Sequence, residues 1–117
     1  MVTFDTLKEL SLSFPEVIEE AHFEKTSFRV NKKIFVTYDQ KQNRATVKLP
    51  EMAQEVFSLT AKDIIYPVDN KWGKQGWTIV ELDRMNDDLF NDIITVAYCE
   101  VAPKKLTELI RPNDHKV

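Results

Sequence analysis

Phe4, Leu7, Leu10 and Phe14 recur at near-helical spacing. This gives one apolar face to a helix over about Thr3–Ser13, with Thr3 as an acceptable N-cap. Pro15 ends it, because proline disfavours the α conformation at the residue before it. Pro15–Ala21 carries Glu16, Glu19 and Glu20 and reads as a solvated connector with room for one helical turn. The period then changes to two. Phe23, Lys25, Ser27 and Arg29 fall on one strand face; Glu24, Thr26, Phe28 and Val30 fall on the other. Ile34, Val36 and Tyr38 alternate with Phe35 and Thr37, and Asn31-Lys32-Lys33 reads as the tight turn between the two strands. A third strand, Ala45–Leu49, follows the polar loop at 39–43.

Pro50 suits the first position of a helix, and Met52, Ala53, Val56, Phe57 and Leu59 give that helix an apolar stripe to about Thr60. Ile64, Ile65, Tyr66 and Val68 form a fourth strand, which Pro67 confines to an edge or a bulge. Trp77, Ile79, Val80 and Leu82 form a fifth. Asn86 caps a last helix whose first turn holds Asp87 and Asp88. Leu89, Phe90, Ile93, Ile94, Val96, Ala97 and Val101 make it the most apolar of the three, and it stops before Pro103. The order α-β-β-β-α-β-β-α predicts an α+β two-layer sandwich, an antiparallel sheet with helices packed on one face. The length of 117 residues predicts one domain over 1–117, with a tail frayed from about 107.

Composition narrows the function classes. The chain is 43% apolar and 30% charged, which is globular rather than disordered. No apolar run approaches the roughly 18 residues of a membrane span. The Met1–Asp5 stretch has neither a basic n-region nor an apolar h-region, so a cytoplasmic protein is expected. The single Cys excludes an intramolecular disulfide. Net charge is −3, which argues against a globally basic nucleic-acid binder. Its distribution is uneven, however. Residues 1–21 carry one basic and five acidic side chains, residues 22–78 ten and six, and residues 79–117 five and eight. The strand-rich middle is basic and the helix-rich ends are acidic. Cations on an open sheet face admit two readings, ordinary surface decoration or a phosphate-binding stripe.

Catalytic signatures are missing. There is no GxxxxGK[ST] loop, no GxGxxG and no GxSxG elbow. His22 and His115 lie far apart, and one Cys with two His falls short of a zinc set. Cys99 sits near the end of its helix beside Glu100, where nothing favours a thiolate, and reads as a packing residue. Glu16, Glu19 and Glu20 read as solvated surface. The expectation is a non-enzymatic protein without metal or cofactor. The most informative segment is Asn70-Lys71-Trp72-Gly73-Lys74-Gln75-Gly76-Trp77, which holds both Gly and both Trp of the chain. It is either a wide hairpin whose tryptophans fold back onto the sheet, or a binding loop with Trp as stacking platform and Lys71 and Lys74 on phosphates.

Several segments together carry a family resemblance. They are Phe14-Pro15-Glu16-Val17, Thr26 to Phe35, Val47-Lys48-Leu49, Trp72-Gly73-Lys74-Gln75-Gly76-Trp77-Thr78 and Ala97 to Leu106. The chain resembles the MmcQ/YjbR family of small bacterial proteins from Phe4 to about Leu106. The resemblance implies a CyaY-like or secretion-chaperone-like fold and a "double wing" DNA-binding role, with the two hairpin groups as wings. Where YjbR-like members often carry Ser-Tyr in the last helix, this chain has Ala97-Tyr98. The nucleic-acid-binding residues expected on these grounds are Lys25, Arg29, Lys32, Lys33, Arg44, Lys71, Trp72 and Lys74. The partner is then DNA. Two alternatives stay open: a protein-interaction or adaptor module, and a small-molecule binder at the Trp72–Trp77 loop.

Overall fold

A computed structural model describes residues 1–110. Helix α1 (Phe4–Ser13) is capped by Thr3, whose side chain accepts from the Thr6 N–H at 3.1 Å. Four strands follow as a meander: β1 (Val17–His22), β2 (Lys25–Val30), β3 (Lys33–Asp39) and β4 (Arg44–Lys48). Helix α2 (Glu51–Thr60) leads to the short strand β5 (Ile65–Pro67), a four-residue helix α3 (Lys71–Lys74) and strand β6 (Trp77–Glu81). Helix α4 (Asp87–Val101) is capped by the Asn86 side chain accepting from the Leu89 N–H. A short helix α5 (Lys104–Thr107) and a 3-10 turn at Glu108–Ile110 end the described chain. The fraying expected of the tail falls mostly outside the described residues.

The sheet has six antiparallel strands in the order β1-β2-β3-β4-β6-β5. The α+β two-layer architecture is the expected one, with one strand more. Most of the expected Pro15–Ala21 connector is instead edge strand β1 (Val17–His22), paired with β2 along its whole length. Its glutamates are compatible with this because an edge strand keeps much of its surface in water, and Ile18, Glu19, Glu20 and Ala21 are all exposed. Phe23, expected inside the first strand, sits in the β1–β2 turn with φ 60°. The Asn31-Lys32 turn has positive φ at both residues, the type I′ geometry that matches strand twist. Pro67 lies on the other edge strand, as expected. The two hairpin groups do not project separately, because β4 pairs directly with β6.

One face of the sheet carries Phe28, Val36, Val47 and Val80, all fully buried, and α4 packs across β3 and β4. A register shift between Phe28 and Arg29 makes Phe35 the extra residue of a bulge. Phe35 and Val36 are therefore both buried. Phe35 meets Phe14 and Tyr98 edge-on, and Tyr98 stacks on Phe14 at 4.6 Å. Burial raises the Tyr98 hydroxyl above the usual tyrosine range. It stays protonated and donates to the Pro15 carbonyl at 2.8 Å.

Candidate nucleic-acid interface

Among the described residues, the four-residue α3 is the helix that borders the opposite face of the sheet. Strand alternation sends Ser27 and Arg29 of β2, Ile34 and Thr37 of β3, Thr46 of β4, and Trp77 and Ile79 of β6 to this side. Their register forms rows across the sheet: Glu20, Ser27, Thr37, Thr46, Ile79 and Tyr66 are successive cross-strand partners. A cleft of about 450 Å3 lies over these strands, and Trp72, Trp77, Ile34 and Ile79 are its apolar walls. Thr37, Thr46, His22 and Lys25 also line it. A second hollow of about 490 Å3 shares Ile34 and Trp77 and extends past Arg29, Lys32 and Lys33.

The Trp-rich segment is held by its backbone. Asn70 caps α3, its side chain accepting from the Trp72 N–H at 2.8 Å. A Cβ on Gly73 would lie 1.9 Å from the Val68 carbonyl oxygen, so no side chain fits there. Gly76 has φ +107°, and a Cβ on it would lie 2.1 Å from the Leu49 oxygen. The Leu49 N–H donates to the Gly76 carbonyl at 2.9 Å. Lys48 Nζ donates to the Gln75 carbonyl at 2.6 Å and lies 3.7 Å from Glu100. Gln54 of α2 donates through Nε2 to the Gly73 carbonyl at 2.9 Å and to Thr78 Oγ1 at 3.0 Å. The two tryptophans then part company. Trp77 is half-buried on the sheet, whereas Trp72 keeps 49% of its surface in water. Lys71 Nζ sits 5.6 Å from the Trp72 ring centroid.

The eight expected contact residues divide into two groups. Arg29 is turned inward: its Nε donates to Ser27 Oγ at 3.0 Å and lies 3.7 Å from Glu20. Arg44 Nε donates to Glu81 at 3.0 Å, and Tyr66 donates a short hydrogen bond to the same carboxylate. Burial pushes the Glu81 carboxyl up, but the Tyr66 and Arg44 hydrogen bonds outweigh it and hold it below the ordinary range. The Glu81 hydrogen bond raises the Arg44 guanidinium, and burial, followed by Glu81, raises Tyr66. Among the described residues Lys25, Lys32, Lys33, Lys71 and Lys74 make no ion pair. They are exposed and, with Trp72, make up the free part of the expected set.

The sequence did not point to the sheet residues that line the cleft, Ile34, Thr37, Thr46 and Ile79. Their local trace is Trp77-Thr78-Ile79-Val80, which is apolar on both faces of a strand. The role of Lys48 in fixing the loop carbonyl depends on a contact 27 residues away. Gln54 gave no sequence signal at all.

These features define a class: a six-stranded antiparallel sheet with its long helix α4 on one side and, on the other, a cleft lined by Trp72, Trp77 and Lys25. The YjbR family model matches residues 12–100, and the chain belongs to the YjbR family. No curated protein matches the sequence. Among solved structures, the chain is similar to the Deinococcus radiodurans protein DR2400, which has a DUF419 domain. The TM-score is 0.78 at 23% identity, with 97% of this chain and 88% of that one covered; this likeness concerns the fold. Among the described residues no helix is long and apolar enough to cross a membrane.

Proposed function

We propose that the chain is a cytoplasmic, non-enzymatic DNA-binding protein whose interface is the face of the sheet opposite α4. The observation that carries this reading is Trp72, a half-exposed indole at the rim of an apolar cleft with Lys71 against its ring. Base–aromatic stacking needs an accessible ring beside backbone-neutralising cations, and Lys25, Lys32, Lys33, Lys71 and Lys74 are the cations without carboxylate partners among the described residues. Arg29 and Arg44 shape the surface rather than contact phosphate, because Glu20 and Glu81 already neutralise them. Fluorescence anisotropy with labelled DNA across a salt series tests the reading. The expected result is binding at low salt that weakens linearly in log–log form; no binding at low salt sinks it.

A different observation favours a protein partner. Met52, Val56 and Leu59 lie three and four residues apart along α2 and are 76%, 54% and 66% exposed. Contiguous apolar surface of this kind marks interaction sites. A pull-down that returned a stoichiometric partner, with no DNA affinity at low salt, would move the function to α2 and the adaptor reading.

A further inference from the structure

We propose that the strand recognised at this face is single rather than double, with one unstacked base entering the Trp72–Trp77 cleft; this rests on the nucleic-acid reading above. In a duplex, each base has its faces covered by its neighbours and shows only its edges in the grooves. The cleft offers the opposite complementarity. Two of the side chains that line it, Trp72 and Trp77, are planar indoles, and they match a π-face that only a splayed base exposes. At about 450 Å3 it falls within the range that encloses a small organic molecule. That is the scale of one nucleotide and far below that of a duplex.

The polar groups of the cleft suit a base edge. Thr37 and Thr46 are direct cross-strand partners on β3 and β4. Both residues line the cleft, and neither side chain makes a hydrogen bond to protein among the described residues. Each hydroxyl can donate or accept, so the pair adapts to either kind of edge group and gives only a modest base preference. His22 lies on the same wall. The cations are placed for a continuing backbone. Lys25 stands at one side of the cleft, Lys71 and Lys74 belong to the helix that carries Trp72, and the adjoining hollow leads to Lys32 and Lys33. A strand entering past Lys71 would deposit a base between the tryptophans and leave along that hollow.

The test uses the full chain and labelled single-stranded DNA of mixed sequence, the matching duplex, and Trp72→Ala and Trp72→Phe variants, each verified by an unchanged melting curve. Anisotropy and intrinsic tryptophan fluorescence are read together. The expected result is single-strand binding at least about tenfold tighter than duplex binding, with quenching. Trp72→Ala should weaken the single-strand complex by about five- to a hundredfold, in line with the loss of one stacked base, and Trp72→Phe should restore most of it. Duplex binding as tight as single-strand binding overturns this inference and leaves the DNA-binding reading standing. Single-strand binding untouched by Trp72→Ala likewise overturns the stacked base. Absence of binding to either form at low salt overturns both.

Discussion

The open face of the sheet carries two clusters of similar composition and opposite disposition. At one end Tyr66, Arg44 and Glu81 pair an aromatic ring with a cation, and the carboxylate closes the set. At the other, Trp72 and Lys71 pair an aromatic ring with a cation, and among the described residues no carboxylate pairs with the lysine. The first cluster satisfies itself and stabilises the fold. The second has no such internal closure among the described residues. Both contribute positive charge to the same basic stretch of sequence, so counting charges does not separate them.

Four measurements would break or sharpen that contrast. The largest effect is expected from Gly76→Ala, because both its positive φ and the Leu49 carbonyl oppose a side chain. A loss of about 3 kcal/mol or more in urea unfolding is expected; a neutral result would mean the Trp72 loop is not rigidly held. Next, Trp72→Ala should leave the unfolding midpoint within about 0.5 kcal/mol of the parent, as for other surface changes, while single-strand affinity falls as above. Equal loss of stability and binding would make Trp72 a packing residue like Trp77.

Glu81→Gln should cost about 1 kcal/mol at neutral pH, at the low end for a charged hydrogen bond because Arg44 is 36% exposed. DNA affinity should rise modestly, because the change frees the Arg44 cation that Glu81 otherwise neutralises. The Glu81 carboxyl is held below its reference value of 4.5 in the folded state. Its contribution is therefore present above pH 4.5 and lost as pH falls through the folded value. Urea midpoints should accordingly drop less for the variant than for the parent between neutral and acid pH. The smallest effect belongs to Lys74→Ala: no measurable change in stability, and a reduction of about one in the slope of log affinity against log salt. An unchanged slope would place Lys74 outside the interface.

The three longer helices, strands β2 to β6 and the edge position of Pro67 were legible because each is encoded locally, by spacing, caps or a breaker. Strand β1 was not. Val17-Ile18-Glu19-Glu20-Ala21-His22 has neither clean alternation nor a buried face, and its strand state comes from the β2 backbone it pairs with. Helix α3 is four residues long, too short for any periodicity. Within the candidate site, Trp72 and the lysines stood out by residue type and by their company with both glycines. Which cations were free did not, because pairing depends on distant carboxylates: Glu20 for Arg29, Glu81 for Arg44 and Glu100 for Lys48.

The hydrogen bond from Tyr98 to the Pro15 carbonyl joins residues 83 positions apart, and it sets a timetable for synthesis. Strands β1 to β4 leave the ribosome early and can pair by local hairpins. Phe28, Phe35, Val36 and Val47 nevertheless have only partial cover, such as Phe14 against Phe35, until α4 emerges and docks on β3 and β4. Closure of the core therefore waits for nearly the whole chain, and a truncated or stalled product ending before α4 presents a sheet with much of its oily side uncovered.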